Sequence, residues 1–324
     1  ALFFAAISGS GTATVAAMGS ILIPAMAAQG YDAGFSSALS AISGSLGTVI
    51  PPSITFIIYG MITGESIGDL FLSGIVPGLI FGFMLCIMVF IKSKKNGWKG
   101  DTQRASLKEI GRLFLDTIWG LLSPVIVLGG IYSGLFTPTE AAAVAVVYSL
   151  IVGIFIYKEL RLTELKETLF STAKTTGMIL LIIMNAGIFS WVLTQQGIAA
   201  SLTEMALALT DNRYIMLFII NIVFLCAGCV MDNTSALYIL VPIIMPIAKA
   251  LDINMIQLGV ILVLNLSIGQ VTPPVGPNLY VAADIGKVKF EEICRRMVPL
   301  LLMSLLALLC ITYIPALSLC LIPS

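Results

Sequence analysis

The chain has no histidine, and charged residues make up only 10% of its 324 positions. Without histidine there is no Ser-His-Asp triad and no imidazole zinc site. A phosphate-binding glycine loop is missing too, and no serine with a placed base or pair of aspartates suits intramembrane proteolysis. These absences argue against an enzyme. With 58% hydrophobic residues and a mean hydropathy of +1.05, there is too little polar side chain to cover a soluble globule. Alternating ten-residue stretches are also absent, which argues against a transmembrane barrel. The expected surroundings are a lipid bilayer, with no nucleic-acid partner. The expected fold class is an all-α polytopic membrane protein.

Several apolar runs reach about 20 residues, enough for a helix to cross about 30 Å of hydrocarbon. The candidate segments are 12–29, 33–63, 70–91, 118–135, 139–157, 175–195, 214–231, 235–250, 257–283 and 297–318. Pro51-Pro52 and Pro273-Pro274 fall inside two of them. Proline removes a backbone donor and clashes with the preceding turn, so both segments should break in mid-membrane. Segments 12–29 and 235–250 are short and follow polar Gly/Ser/Asn/Thr stretches, which predicts the tips of re-entrant hairpins. Cys226 and Cys229 have redox or metal spacing but sit in an unbroken apolar run, where packing is the expectation. Thr137-Pro138-Thr139-Glu140 predicts a helix start, with threonine as cap and glutamate three residues on.

All of the 17 Lys and Arg except Arg213 and Lys249 fall in the stretches 92–117, 158–174 and 284–296. The positive-inside rule places these three on the cytoplasmic side. The loop holding Glu65 and Asp69 then falls outside.

Sliding the chain by 222 positions aligns two halves without a gap. Thr12 meets Thr234, Pro24 meets Pro246, and Gly64 meets Gly286. Ser45, Gly47, Val49, Pro51 and Pro52 meet Ser267, Gly269, Val271, Pro273 and Pro274, and Val76-Pro77 meets Val298-Pro299. Glu65 and Asp69 pair with Lys287 and Glu291, which lie in a basic loop on the other side, so the repeat is predicted to be inverted. Inverted repeats with broken helices are a secondary-transporter architecture with midplane sites. By the same offset the partners of 174–231 fall at −48 to 9, and a further N-terminal segment is expected before Ala1.

Each half offers one tip and one break. Ser8-Gly9-Ser10-Gly11-Thr12-Ala13-Thr14 goes with Gly47-Thr48-Val49-Ile50-Pro51-Pro52-Ser53, and Asp232-Asn233-Thr234-Ser235 goes with Gly269-Gln270-Val271-Thr272-Pro273-Pro274. Hydroxyls and unwound carbonyls are hard ligands suited to sodium, and helix N-termini can face an anion. Small residues also serve plain helix packing. Asp232 suits either a helix cap or an ion ligand.

Five stretches resemble the large membrane subunit of tripartite ATP-independent periplasmic (TRAP) transporters. They are Ile7–Gly11 with Gly19–Pro24; Ile50–Ile54; Gly134–Ala141; Met231-Asp232; and Ile268–Gly276. The resemblance implies elevator-type, sodium-coupled uptake at the bacterial inner membrane. A small organic acid would be delivered by a periplasmic solute-binding protein, and a small four-helix membrane subunit would pair with the scaffold. It implies one sodium site at Ser8, Ser10, Thr12, Gly47 and Thr48 and another at Asn233, Thr234, Gly269 and Thr272. Thr14, Pro52, Ser53, Asp232, Ser235 and Pro274 are expected toward substrate. The expected division is a first transport repeat over 1–63 and scaffold helices over 64–174, with a cytoplasmic connector at 92–117. A second repeat covers 175–283 (hairpin 214–250, broken helix 257–283), and a C-terminal scaffold helix covers 284–324. A stand-alone sodium-coupled carboxylate carrier shares this architecture. A non-transporting scaffold does not require duplicated breaks, and a channel would show a ring of charges or a carbonyl filter.

Overall fold

In a computed structural model residues 1–98 and 106–322 are described, and all their regular structure is helical. The middle of the expected connector 92–117 and the end of 284–324 lie outside the described residues. Two compact units are present, one of Ala1–Gly100 with Phe189–Ser324, the other Asp101–Ile188. Among the described residues eight helices are long and apolar enough to cross a membrane.

The first unit begins with α1 (Leu2–Ser8) and α2 (Gly11–Ala28), a hairpin turning at Gly9-Ser10. Then α3 (Ala33–Ser45), extended by a 3-10 turn (Leu46–Thr48), stops ahead of α4 (Ile54–Thr63), and α5 (Ile67–Asn96) follows. In the other unit α6 (Leu107–Tyr132) packs on α7 (Pro138–Ile151), which ends in a π-helical turn (Val152–Ile156) before α8 (Leu162–Gln195). Thr137 starts α7 with the predicted capping box: Glu140 Oε2 accepts from the Thr137 amide at 2.8 Å, and Thr137 Oγ1 accepts from the Glu140 amide at 3.3 Å. The first unit resumes with α9 (Ile198–Leu209) and a second hairpin, α10 (Arg213–Val230) with α11 (Asn233–Ala250). A second interrupted pair, α12 (Met255–Gly269) and α13 (Pro277–Gly286), leads to α14 (Phe290–Tyr313) and α15 (Ala316–Leu319).

The 222-residue offset recurs in three dimensions. Starts of α2 and α3 at Gly11 and Ala33 return at Asn233 and Met255, while α4 and α13 agree to within one residue. Both Pro51-Pro52 and Pro273-Pro274 are cis. Cap chemistry repeats as well: Asp32 accepts from the Phe35 amide at 2.8 Å, and Asn254 accepts from the Ile256 and Gln257 amides at 2.9 and 3.1 Å. Such caps satisfy amides that have no partner in the first turn.

Equivalent loops lie at opposite ends of this unit. Asp32, after the first hairpin, accepts from Arg296 Nη2 at 2.8 Å, and the Tyr31 and Phe35 rings meet Trp98. That end therefore gathers the loop 29–32, the end of α5 and the start of α14. At the other end Tyr59 donates to the Met255 carbonyl at 2.6 Å, and its ring fills the space beside Gly259. Tyr313 donates there to the Tyr214 carbonyl at 3.3 Å. The loop 251–254, repeat partner of 29–32, thus sits with Glu65 and the start of α10.

Glycine decides the tightest crossing, between α10 and α12. A Cβ on Gly269 would lie 2.5 Å from the backbone of Gly228. Beside it Asn265, fully buried, donates to Asn221 Oδ1 at 2.6 Å, and Asn221 donates on to Thr312 of α14 at 3.1 Å. Gly269→Ala should force the two backbones apart and cost about 1–3 kcal/mol, as overpacking does. A thermal unfolding midpoint in detergent checks this, and Gly111→Ala, at a helical glycine with open space around its Cβ, should not lower the midpoint.

Candidate functional site

Each hairpin turn lies against the break that follows it. In the first half a Cβ on Gly9 would sit 2.9 Å from the Pro52 carbonyl oxygen, and the Ile54 amide points to the Gly9 carbonyl at 3.5 Å. Gly9 itself has φ +62°, a conformation glycine adopts without strain, and it terminates α1. In the second half the Val275 amide donates to the Cys229 carbonyl at 3.2 Å, so the end of α10 satisfies a backbone group freed by the break.

The first cluster is brought together. Ser8 Oγ and Thr14 Oγ1 both donate to the Ser10 carbonyl, at 3.2 and 2.7 Å, and the Ser10 and Thr12 hydroxyls are 3.4 Å apart. A Cβ on Gly47 would lie 2.6 Å from Thr14 Oγ1 and 2.7 Å from the Ser10 carbonyl oxygen, so the break backbone touches the tip. Thr48 is buried, donates to the Ser45 carbonyl at 2.7 Å and shares a short hydrogen bond with Ser267. Ser53 caps α4 and donates to the Thr48 carbonyl at 2.5 Å. Pro52 is half-buried over Gly9.

The second cluster is looser. Asp232 is exposed and caps α11: Oδ2 accepts from the Ser235 amide at 3.1 Å and Oδ1 from the Ser235 hydroxyl at 2.6 Å. Asn233 is 6% exposed, yet neither end of its amide has a hydrogen-bond partner among the described residues. Thr234 is half-buried, Thr272 donates to the Ile268 carbonyl at 2.8 Å, Gly269 faces Gly228, and Pro274 is exposed.

Sequence reading named Gln270 only as part of the second break and did not single out Asn278, yet both join the halves. Asn278 Nδ2 donates to Ser45 Oγ at 3.1 Å and to Gln270 Oε1 at 3.4 Å. A Cβ on Gly11 would lie 2.7 Å from Gln270 Oε1 and 3.2 Å from Asn278 Nδ2, so the first tip rests on the second break. The signal available was an amide within an apolar membrane segment. Asn278 Oδ1, like Asn233, is buried without a partner among the described residues. A buried polar atom left unpaired is costly, and such sites are where a ligand or water is expected.

Residues 1–317 match the family described as "Tripartite ATP-independent periplasmic transporter, DctM component". The isethionate TRAP transporter permease protein DctMQ of Oleidesulfovibrio alaskensis is 43% identical over 315 residues, covering 97% of this chain and 50% of that one. The C4-dicarboxylate TRAP transporter large permease protein DctM of Pseudomonas aeruginosa is 43% identical over 320 residues, 99% of this chain and 75% of that one. The sialic acid TRAP transporter large permease protein SiaM of Vibrio cholerae is 36% identical over 318 residues, 98% and 74%. A family match that spans the duplicated tips and breaks and runs through α14 leaves one reading: the chain belongs to the DctM family of TRAP transporter permeases, multi-pass bacterial membrane proteins rather than enzymes.

Proposed function

We propose that this chain forms the core of a sodium-coupled uptake system for a small organic anion, delivered by a periplasmic solute-binding protein and moved by an elevator mechanism. The observation that carries the reading is the junction of Gly11, Thr48, Ser267, Gln270 and Asn278, where tip and breaks from both halves meet. A hairpin tip beside a mid-segment break lies inside the membrane thickness, so both hairpins are re-entrant, from opposite sides. The basic end is cytoplasmic.

Sodium needs hard oxygen ligands, and the Ser10 and Thr48 carbonyls with their surrounding hydroxyls supply them. Asn233, Thr234 and Thr272 supply the second set, with Gly47 and Gly269 holding tip and break in contact. Among the described residues no cation lines the junction, so the anion is met by dipoles. The α2 and α13 N-termini carry no side-chain cap, and Gly11 and Asn278 bring them together. Each helix N-terminus acts as about half a positive charge. Thr14, Ser53, Ser235, Pro52, Pro274 and Asp232 line the approaches to this anion. The relatives named for isethionate, C4-dicarboxylates and sialic acid act on small anions that differ in shape. A site built from dipoles and amides suits that range.

The sequence division placed 64–174 and 284–324 in the scaffold. Because α14 packs on α3 and α12, and α5 on α12 and α14, we place them with the moving core, and assign α6 and α7 to the scaffold that meets the small four-helix subunit.

The test is uptake of labelled organic acids by the full-length protein with its small subunit in proteoliposomes, with and without a sodium gradient and the binding protein. Uptake requiring both is expected. Uptake with sodium alone would favour a stand-alone carrier, and no uptake from a verified, folded preparation would refute the proposal. Thr12→Ala and Thr234→Ala should each raise the sodium concentration for half-maximal uptake about ten-fold, one lost ligand costing about 1.4 kcal/mol. Gln270→Leu should raise the substrate KM at saturating sodium, because the amide joining the two halves is lost.

A further inference from the structure

The basic end of the first unit holds a feature that transport does not use. The helix α5 stops at Gly97, with φ +69°, and the Trp98 amide returns to the Ser93 carbonyl at 3.1 Å. This cap swings Trp98 back over Tyr31 and Phe35, with both ring centroids 5.1 Å away. Beneath it lies a cavity of about 190 Å³ lined by Lys92, Lys95, Asn96, Trp98, Arg295 and Arg296, with Phe35 and Pro299 as its floor.

Four cations converge on this cavity, and among the described residues no acid lines it. Asp32, the nearest carboxylate with a defined partner, is held by Arg296 at 2.8 Å, and the Glu292 side chain lies against Gly34. One ion pair leaves Lys92, Lys95 and Arg295 with excess positive charge. The charge is not imposed by the fold. At the equivalent place in the second half, where Gln257 replaces Phe35 by the 222-residue offset, a cavity is lined by Arg213 and Asp252, one cation and one acid.

We propose that this cavity binds the phosphate headgroup of an anionic phospholipid in the cytoplasmic leaflet. A basic pocket between transmembrane helices on the cytoplasmic side is the chemistry that holds anionic headgroups, and an aromatic lid at headgroup depth anchors the same layer. Lys92 and Lys95 face the phosphate as point charges, Arg295 supplies directional donors, and the Asn96 amide reaches the glycerol hydroxyls. Binding would tie the end of α5 to the start of α14.

Native mass spectrometry of the full-length protein in detergent, titrated with phosphatidylglycerol or with phosphatidylcholine, tests this without a transport readout. Phosphatidylglycerol should be retained preferentially. The double variant Lys92→Gln/Lys95→Gln should weaken that retention about ten-fold or more. Lys166→Gln/Lys174→Gln, in another basic stretch, should not change it. Trp98→Leu, which keeps every charge, should weaken it less, and inorganic phosphate at millimolar concentration should not displace the lipid. Equal retention of both lipids, equal loss in the two double variants, or displacement by inorganic phosphate would each overturn the proposal. If the Lys92/Lys95 variant does not fold, Arg295→Gln carries the same expectation.

Discussion

A helix that stops inside hydrocarbon releases backbone amides and carbonyls that lipid cannot satisfy. Everything around the two breaks follows from that constraint. After Thr48 the chain leaves the helix, and Ser53 turns its hydroxyl back to the Thr48 carbonyl. After Gly269 the Thr272 hydroxyl returns to Ile268, the Asn278 amide to Gln270, and the Val275 amide crosses to Cys229 of the hairpin. The tips are therefore not ornaments beside broken helices. They supply part of the hydrogen bonding that lets the helices be broken, and glycines at 9, 47, 228 and 269 let them come close enough to do so.

The same constraint ties the halves to each other. Each break also draws on the other half, because Thr48 reaches Ser267 and Asn278 reaches Ser45. Ser45 and Ser267 are repeat partners, yet their contacts differ: Ser45 accepts from the side-chain amide of Asn278 in the first turn of α13, and Ser267 pairs with the Thr48 hydroxyl. The repeated backbone thus carries a junction that is not itself repeated.

What could be read from the sequence was what acts locally on the backbone. Pro51-Pro52, Pro273-Pro274 and the flanking glycines mark breaks wherever they occur, so the repeat register, both tips and the helix starts were legible. The junction of Asn278 and Gln270 with Ser45 and Gly11 was not, because those contacts lie in the other half and an isolated amide states nothing about what it will meet. Hydropathy also underreads helices: α6, α8 and α14 begin at Leu107, Leu162 and Phe290, well before the apolar runs at 118, 175 and 297. Their first turns are charged and lie beyond the hydrocarbon, so helix continues where hydrophobicity stops. In 196–213, α9 was missed for the opposite reason: twelve residues are too few to cross a bilayer, and the helix is held by packing on α11.

An inverted repeat with matching side chains would give two end states of equal energy, related by the pseudo-twofold axis. Here the two ends are closed by different chemistry. At the basic end the Asp32–Arg296 pair is partly exposed to water and screened by salt, so it contributes little by itself. At the other end Tyr59, fully buried, gives its hydroxyl to the Met255 carbonyl and its ring to Gly259. Breaking that contact exposes a large aromatic surface and leaves a polar pair to find new partners. Both contacts lie within the body assigned above to the moving core, so its two ends are pinned by unequal means. The backbone symmetry therefore does not extend to the side chains that hold its two ends.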